Sequence, residues 1–210
     1  RRVPVPRPGV QLAGRTLGLI GHGRIARRVA EIALAMRMRV LATDPPAPSQ
    51  PGVERVPLDR LLAESDVVMP LAIATGATRH IIDARALALM PRGSFLVNLS
   101  RGQLVDEAAL RAALESGHLA GAAMDVGSAP DQWPDPDLAA RPDVTATPHV
   151  GGLTPEAAEH QAMDTVRQVA ALAAGRMPDG ALNPDAAHRL SRLAALSGNP
   201  AHGRSSGGTR

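Results

Sequence analysis

The stretch Gly18-Leu19-Ile20-Gly21-His22-Gly23-Arg24-Ile25-Ala26 decides the fold of this 210-residue chain. A short apolar run is followed by glycine-rich residues and then by apolar residues at helical spacing, which predicts a strand, a tight turn and a helix. The two glycines and Ala26 match the pattern G-x-G-x-x-A. The first glycine permits the turn, the second lets the backbone approach a phosphate, and the alanine lets the helix pack close to the strand.

A second strand strengthens this interpretation, because a chance glycine turn would explain so short a motif equally well. The strand predicted over 39–43 ends at Asp44, about 20 residues beyond the first glycine, where an acid can bind the hydroxyls of a ribose. The helix that follows the turn begins with free N–H groups that suit a phosphate. Together these features predict a dinucleotide-binding site.

Strands and helices alternate along the rest of the sequence. We predict strands over 15–20, 39–43, 66–72, 94–99, 120–126 and 144–146, and helices over 24–37, 58–64, 84–90, 106–116 and 154–174. This alternation predicts an α/β fold, a Rossmann-type doubly wound parallel sheet. We expect a linker over 1–10, a dinucleotide-binding domain over 11–153, a C-terminal helix over 154–175 and a disordered tail over 176–210. Within that tail, 185–196 has the pattern of a short amphipathic helix.

The composition excludes several kinds of chemistry. The absence of cysteine excludes disulfides, thiol catalysis and cysteine metal sites, and it fits a reducing cytoplasm. All 23 basic residues are arginine, so lysine Schiff-base chemistry is excluded. Scattered arginines and only two aromatic residues argue against a nucleic-acid partner. No apolar run is long enough to predict a membrane span, and no metal site is predicted.

Four polar clusters fall at the ends of predicted strands. They are Asp44, residues 98–102, Asp125 and residues 147–152. Each has a plain alternative as a turn or surface residue, but ligands of doubly wound sheets bind at the carboxyl ends of the strands, where all four converge. Arg101 can bind a carboxylate through two hydrogen bonds, and His149 can exchange the proton of a hydroxyl. An arginine and a histidine beside a nicotinamide suit hydride transfer.

Several motifs in order resemble the D-isomer-specific 2-hydroxyacid dehydrogenases, and the resemblance covers about residues 11 to 175. The matching stretches are GRTLGLIGHGRI (14–25), LLAESDVV (61–68), VNLSRGQLVDEAAL (97–110), LAGAAMDV (119–126) and TPHVGG (147–152). The resemblance implies hydride transfer between NAD(H) and a 2-hydroxy or 2-keto acid, with a homodimer as the expected assembly. It implies Arg101 and His149 as the catalytic residues. The implied cofactor-binding residues are Gly21, Gly23, Arg24, Ile25, Asp44, Ala72, Leu99, Ser100, Arg101, Asp125, His149, Gly151 and Gly152.

The sequence departs from the family pattern in three ways. Ala129 stands where the family has a glutamate that orients the catalytic histidine, and Asp131 or Asp135 is the candidate substitute. Leu71 and Ile73 replace a basic residue and a proline after the third strand. The substrate domain of the family is largely missing, so we expect either a fragment or a degenerate member.

Two other classes of function compete with the enzyme. An NAD-holding regulatory module would explain the missing glutamate, but Arg101 and His149 argue against it. A structural protein without a cofactor is disfavoured by the combination of Gly21, Gly23 and Asp44.

Overall fold

The computed structural model describes residues 9–44, 48–181 and 184–186. The chain divides into two compact units, Arg1–Gly151 and Gly152–Arg210. Residues 1–8 of the expected linker over 1–10 lie outside the described residues. So do residues 182–183 and 187–210 of the tail predicted over 176–210, which include most of the helix predicted over 185–196. Asp185 itself belongs to a short 3-10 turn, Pro184–Ala186.

Seven parallel strands form a single sheet in the first unit, in the order β3-β2-β1-β4-β5-β6-β7. The strands are β1 (Thr16–Ile20), β2 (Arg39–Thr43), β3 (Val53–Arg55), β4 (Val67–Pro70), β5 (Ser94–Asn98), β6 (Leu119–Met124) and β7 (Val144–Ala146). The predicted Rossmann-type parallel sheet is therefore confirmed. The sequence predicted six of these strands, and β3 at the edge of the sheet was missed.

Five helices accompany the sheet, and a sixth forms most of the described part of the second unit. They are α1 (Arg24–Ala35), α2 (Leu58–Glu64), α3 (Ala84–Leu89), α4 (Glu107–Glu115), α5 (Pro136–Ala139) and α6 (Pro155–Ala173). The side chains of Asp83, Asp106 and Thr154 cap α3, α4 and α6 by accepting backbone N–H groups. The short helix α5 was not predicted. No helix among the described residues is long and apolar enough to cross a membrane.

The order of the strands determines which face of the sheet each helix covers. The chain runs from β1 outward to β2 and β3, then returns to the other side of β1 and continues outward from β4 to β7. Parallel connections are right-handed, so α1 lies on one face and α2 to α5 lie on the other. The two cores reflect this division. Ala26, Ala30 and Ala33 of α1 pack on β1 and β2, whereas Leu61, Leu87, Leu110 and Leu138 belong to the core of the opposite face.

The face of the sheet that carries α1 is only partly covered by helices. A groove of about 540 Å³ lies over β5, β6 and β7 on this face, lined by Phe95, Val97, Ala123 and Thr145 among others. No described helix of the first unit covers these strands there, because all of the connections between them pass over the opposite face. We call this surface the open sheet face.

Candidate functional site

The predicted site residues of the first unit follow the carboxyl ends of strands along one edge of the sheet. Because all seven strands are parallel, their carboxyl ends lie at the same edge. The glycine turn follows β1, Asp44 follows β2 and Ala72 lies just beyond β4. Leu99, Ser100 and Arg101 follow β5, Asp125 follows β6, and His149 and Gly151 follow β7. Gly152 is the first residue of the second unit.

The turn after β1 has a backbone that only glycine allows. Gly21 has a φ of +95°, and a side-chain carbon there would lie 2.7 to 2.8 Å from backbone atoms of Leu71 and Ala72. Gly23 is different, since a side-chain carbon on it would meet no atom within 4 Å. It stands in front of open space at the start of α1, where no side chain caps the helix. The first N–H of this helix with a partner is that of Arg27, so those of Arg24 and Ile25 have none within the helix.

Asp44 is held against the glycine turn. Its Oδ2 accepts a hydrogen bond of 2.7 Å from the backbone N–H of His22. The His22 ring is buried, its Nε2 lies 2.8 Å from Oε1 of Gln50, and its Nδ1 has no partner. Gln50 in turn donates to the carbonyl of Arg27. These contacts connect the segment after β2 to the start of α1, so that Asp44 lies beside the glycine turn.

Asn98 shapes the turn that carries Arg101. Its buried side chain donates through Nδ2 to the carbonyl of Arg101 at 3.0 Å and accepts from the N–H of Ser100 at 3.2 Å. The guanidinium of Arg101 is exposed and donates to the carbonyl of Ser100 at 2.7 Å. We call residues 98–102 the Arg101 turn. Its guanidinium is therefore available at the carboxyl edge of the sheet.

Two glycines bring the Arg101 turn against the segment after β6. A side-chain carbon on Gly102 would lie 2.0 Å from the backbone of Gly127, and one on Gly127 would lie 2.0 Å from the carbonyl oxygen of Trp133. Neither position has room for a larger residue. The close approach fixes the distance between the turn after β5 and the segment after β6.

Asp125 anchors the loop that contains His149. The Oδ1 of this buried carboxylate accepts from the Thr147 hydroxyl at 2.5 Å and from the Val150 N–H at 2.8 Å, and its Oδ2 accepts from the Gly151 N–H at 2.9 Å. Burial disfavours the charged form, but these hydrogen bonds outweigh it and hold the pKa of Asp125 below its usual value, with a further contribution from nearby His149. We call residues 147–151 the His149 loop.

His149 occupies a left-handed backbone conformation in this loop. Its φ is +54°, its N–H donates to the carbonyl of Thr147 at 3.0 Å, and the residue is half-buried. A positive φ is uncommon for a residue with a side chain, although histidine is among those that tolerate it. The loop held by Asp125 stabilises this backbone conformation.

The acids that sequence reasoning offered as a substitute for the missing glutamate have other partners. Asp131 accepts from the N–H of Trp133. Asp135 caps α5 and forms an ion pair with Arg111. The carboxylate of Asp125, whose pKa is lowered in part by nearby His149, is an acid that contacts the His149 loop. The sequence resemblance implied Asp125 as a cofactor-binding residue, and in the structure both of its oxygens hold the His149 loop.

Several residues of this edge were missed as part of the site. His22 lies inside the quoted motif, but nothing in the sequence indicates its contact with Gln50. Asn98 was noticed only as a polar residue after a strand. Arg55 is the last residue of the missed strand β3, and its guanidinium donates a hydrogen bond to the carbonyl of Asp44. Val53 and Val56 after Gly52 were the apolar signal of this strand, but the two charged residues between them break the alternation that is typical of a strand. Within the described part of the chain, no group of three histidine or acidic residues is placed to hold a metal ion.

The chain is similar to known proteins over most of its length. A family profile described as the D-isomer specific 2-hydroxyacid dehydrogenase, NAD binding domain, matches residues 3–151. The glyoxylate reductase of Aeropyrum pernix is 37% identical over 184 residues, which cover 86% of this chain and 55% of that protein. The hydroxypyruvate reductase of Thermotoga maritima is 39% identical over 164 residues, which cover 77% of this chain and 54% of that protein.

A solved structure agrees with these similarities. The D-lactate dehydrogenase of Lactobacillus jensenii, crystallised with NAD⁺, superposes with a TM-score of 0.75 at 31% identity, over 82% of this chain and 56% of that one. The chain spans about half the length of the curated relatives it matches.

Proposed function

The chain belongs to the D-isomer-specific 2-hydroxyacid dehydrogenase family, of which it contains the NAD-binding domain, and from this premise we propose that it serves hydride transfer between NAD(H) and a small 2-hydroxy or 2-keto acid. The observation that most supports this activity is the placement of Arg101 and His149. Both follow strands at the carboxyl edge of the sheet, on the same edge as the glycine turn.

The residues of the first unit fit the cofactor. The open space in front of Gly23 and the free N–H groups of Arg24 and Ile25 suit a pyrophosphate. The carboxylate of Asp44, positioned by the N–H of His22, suits the hydroxyls of the adenosine ribose. When bound, NAD(H) supplies the acceptor or donor of the hydride. In this proposal Leu99, Ser100 and Asp125 line the nicotinamide end, and Ala72 and Gly151 also belong to the cofactor site.

Arg101 binds and orients the substrate in this proposal. Its guanidinium can form two parallel hydrogen bonds to a carboxylate, which fixes the carbon to be reduced or oxidised in one orientation. The exposed guanidinium has one described hydrogen bond, to the carbonyl of Ser100, which leaves several of its N–H groups to face a ligand. Lysine at this position would supply charge without that planar geometry.

His149 exchanges the proton. In the direction of reduction the imidazolium donates a proton to the substrate oxygen, and in the direction of oxidation the neutral imidazole accepts the hydroxyl proton. The carboxylate of Asp125 stays ionised because its pKa is lowered, and its hydrogen bonds hold the loop that carries the imidazole. In this proposal the Asp125 carboxylate therefore positions His149, as the absent glutamate would otherwise do.

A binding experiment tests this assignment without relying on turnover. Calorimetry should show that the 210-residue chain binds NADH, and that the NADH-loaded chain binds oxamate, an unreactive analogue of a 2-keto acid. Arg101→Ala should abolish oxamate binding and change the NADH affinity little. An NADH complex whose oxamate binding is indifferent to this substitution would remove Arg101 from the substrate site, and a chain that binds no NADH would contradict the proposed function itself.

We propose two further properties of the chain. The first is a homodimer, for which the apolar open sheet face is a candidate interface. The second is a cytoplasmic location, which fits the absence of cysteine. The alternative of a regulatory module without chemistry has no support in the comparisons, since the relatives named there are reductases and dehydrogenases.

A further inference from the structure

Strand β3 places the positive charge of Arg55 beside Asp44, the residue proposed to bind the adenosine ribose. Arg55 is the last residue of this strand, which pairs with β2, and its guanidinium donates a hydrogen bond to the backbone carbonyl of Asp44. The side chain is exposed at the carboxyl edge of the sheet. An acid and an arginine therefore stand together where β2 and β3 end.

These two residues line a common pocket. It has a volume of about 260 Å³, and we call it the adenosine pocket. Its lining consists of Ala42, Thr43, Asp44, Arg55, Val56 and Pro57. The apolar part of this lining, with Val56 and Pro57, suits one face of a purine. Arg55 and Asp44 provide the polar part.

The two charged side chains favour different ribose substituents. A carboxylate at the end of the second strand binds the 2′-hydroxyl of NAD and repels a 2′-phosphate, whereas an arginine nearby accommodates the phosphate of NADP. The segment 45–47, Pro-Pro-Ala, supplies no basic residue. The nearby cation is supplied instead by Arg55 from the neighbouring strand.

The hydrogen bond of Asp44 affects how this residue would meet a 2′-phosphate. One of its oxygens, Oδ2, already accepts the N–H of His22, and the dipole of that N–H offsets part of the repulsion between the carboxylate and a nearby anion. The positive charge of Arg55 lies on the side of Asp44 that faces β3. An added 2′-phosphate would therefore meet one attractive and one partly compensated repulsive group.

We propose that Arg55 is a specificity-determining residue that lets the adenosine pocket bind NADP(H) as well as NAD(H). The proposal rests on the proposed function, because it concerns the adenosine half of the same cofactor site. Arg55 binds the 2′-phosphate through charge-assisted hydrogen bonds, and Asp44 binds the 2′-hydroxyl when the phosphate is absent.

The experiment compares matched ligands that differ only by the 2′-phosphate. Dissociation constants for NADH and NADPH, and for 5′-AMP and 2′,5′-ADP, are measured by calorimetry with the 210-residue chain. The variants are Arg55→Ala, Arg55→Lys and the control Arg92→Ala. Arg92 is also an exposed arginine that donates to a backbone carbonyl, that of Gly117, so its removal changes the net charge equally. Thermal unfolding of each variant checks that the fold is retained.

We expect NADPH to bind the wild-type chain within about tenfold of NADH, and Arg55→Ala to weaken NADPH and 2′,5′-ADP about tenfold, as the loss of one charge-assisted contact predicts. NADH and 5′-AMP should change by less than about twofold in that variant, because their ribose carries no phosphate for Arg55 to bind. Arg55→Lys should retain most of the NADPH affinity because it keeps the charge, and Arg92→Ala should change nothing. Higher salt should weaken NADPH more than NADH.

Four results would overturn the proposal. NADH binding with no measurable NADPH binding would refute the dual specificity while leaving the proposed function intact. An equal loss of both cofactors in Arg55→Ala would show that Arg55 only supports the pocket. An equal loss in Arg92→Ala would assign the effect to net charge. A chain that binds neither dinucleotide nor either adenosine nucleotide would refute the proposed function together with this inference.

Discussion

The carboxylate of Asp125 and the hydroxyl of Thr147 are joined by a hydrogen bond of 2.5 Å, which connects the residue after β6 to the residue after β7. The same carboxylate accepts the N–H groups of Val150 and Gly151. One buried acid thus organises the whole His149 loop, and its contribution to stability can be measured.

Asp125→Asn should destabilise the chain. The amide has the size of the carboxylate, but its NH₂ group must face at least one of the three donors that the carboxylate now accepts. We expect a loss of about 1 to 3 kcal/mol in the free energy of unfolding at pH 7, measured by urea denaturation. The matched control is Asp137→Asn, since the Asp137 side chain is 81% exposed and should matter little.

The effect of Asp125→Asn should depend on pH. The folded pKa of Asp125 is lowered, so its ionised form contributes stability above the unfolded pKa of about 3.9, and this contribution is lost as the pH falls through the folded pKa. The difference between wild type and variant should be constant from neutral pH down to about pH 5 and should shrink in stronger acid. A difference that widens in acid would contradict the lowered pKa.

Gly23→Ala should separate cofactor binding from stability. Nothing lies within 4 Å of the added methyl group, and the backbone needs no positive φ, so unfolding should be unchanged. The methyl group would occupy the space in front of α1, so NADH affinity should fall by about tenfold or more. Fluorescence of Trp133, the only tryptophan of the chain, can report the binding through energy transfer to NADH. Undiminished NADH affinity would place the pyrophosphate elsewhere.

Gly102→Ala should disturb the Arg101 turn. The added carbon would lie 2.0 Å from backbone atoms of Gly127, so one of the two segments must move. We expect a destabilisation of about 1 to 3 kcal/mol in urea denaturation, together with weaker binding of oxamate. Gly76→Ala is the control, since a side-chain carbon there meets nothing within 4 Å. Equal stability of the two variants would show that the contact is not tight in solution.

Turnover should depend on His149. The 210-residue chain spans about half the length of its relatives, so its reduction of glyoxylate, pyruvate or hydroxypyruvate should be slow or undetectable by the loss of NADH absorbance. Any measurable rate should fall by about 10² to 10⁴ in His149→Ala, which removes the proposed general acid and base. His160→Ala, on an exposed part of α6, should have no effect. A rate that survives His149→Ala would remove the assigned role.

The open sheet face should mediate self-association. Thr145 is exposed on this face, and Thr145→Glu would place a charge in the groove without entering the core. We expect the wild-type chain to sediment as a dimer at high concentration and the variant as a monomer. Ala108→Glu, on the exposed surface of α4, should leave the association unchanged. A wild-type mass that stays monomeric at every concentration would contradict the proposed homodimer.

The sequence predicted the elements whose apolar patterns are long enough to identify, and it missed those that depend on a neighbour. The strands β1, β4 and β5 are short buried runs bounded by turn residues, so their positions followed from the residues themselves. Strand β3 has three residues, two of them charged and exposed, and it exists because its backbone pairs with β2. Arg55 was missed together with it.

The candidate site shows the same division. The positions of Asp44, Arg101 and His149 at one edge followed from the parallel order of the strands. The partners of each side chain did not, because they depend on how separate loops turn. Asp125 could be placed at the end of β6 from sequence, but its hydrogen bonds to the His149 loop required the conformation of residues 147–151.

The return of the chain from β3 to β4 also has a consequence for the folding pathway. Strands β4 to β7 pair with their neighbours in sequence, whereas β1 must wait for the whole of β2 and β3 before it can pair with β4, as in the match of Leu17 with Val67. Closing that longer loop costs more chain entropy, so the pairing of β1 with β4 should form late. Gly21 lies against Ala72 just beyond this pair of strands. The nucleotide crevice is therefore completed by the last pairing of the sheet, and a refolding intermediate with protected amides in β5 and β6 should still be unable to bind NADH.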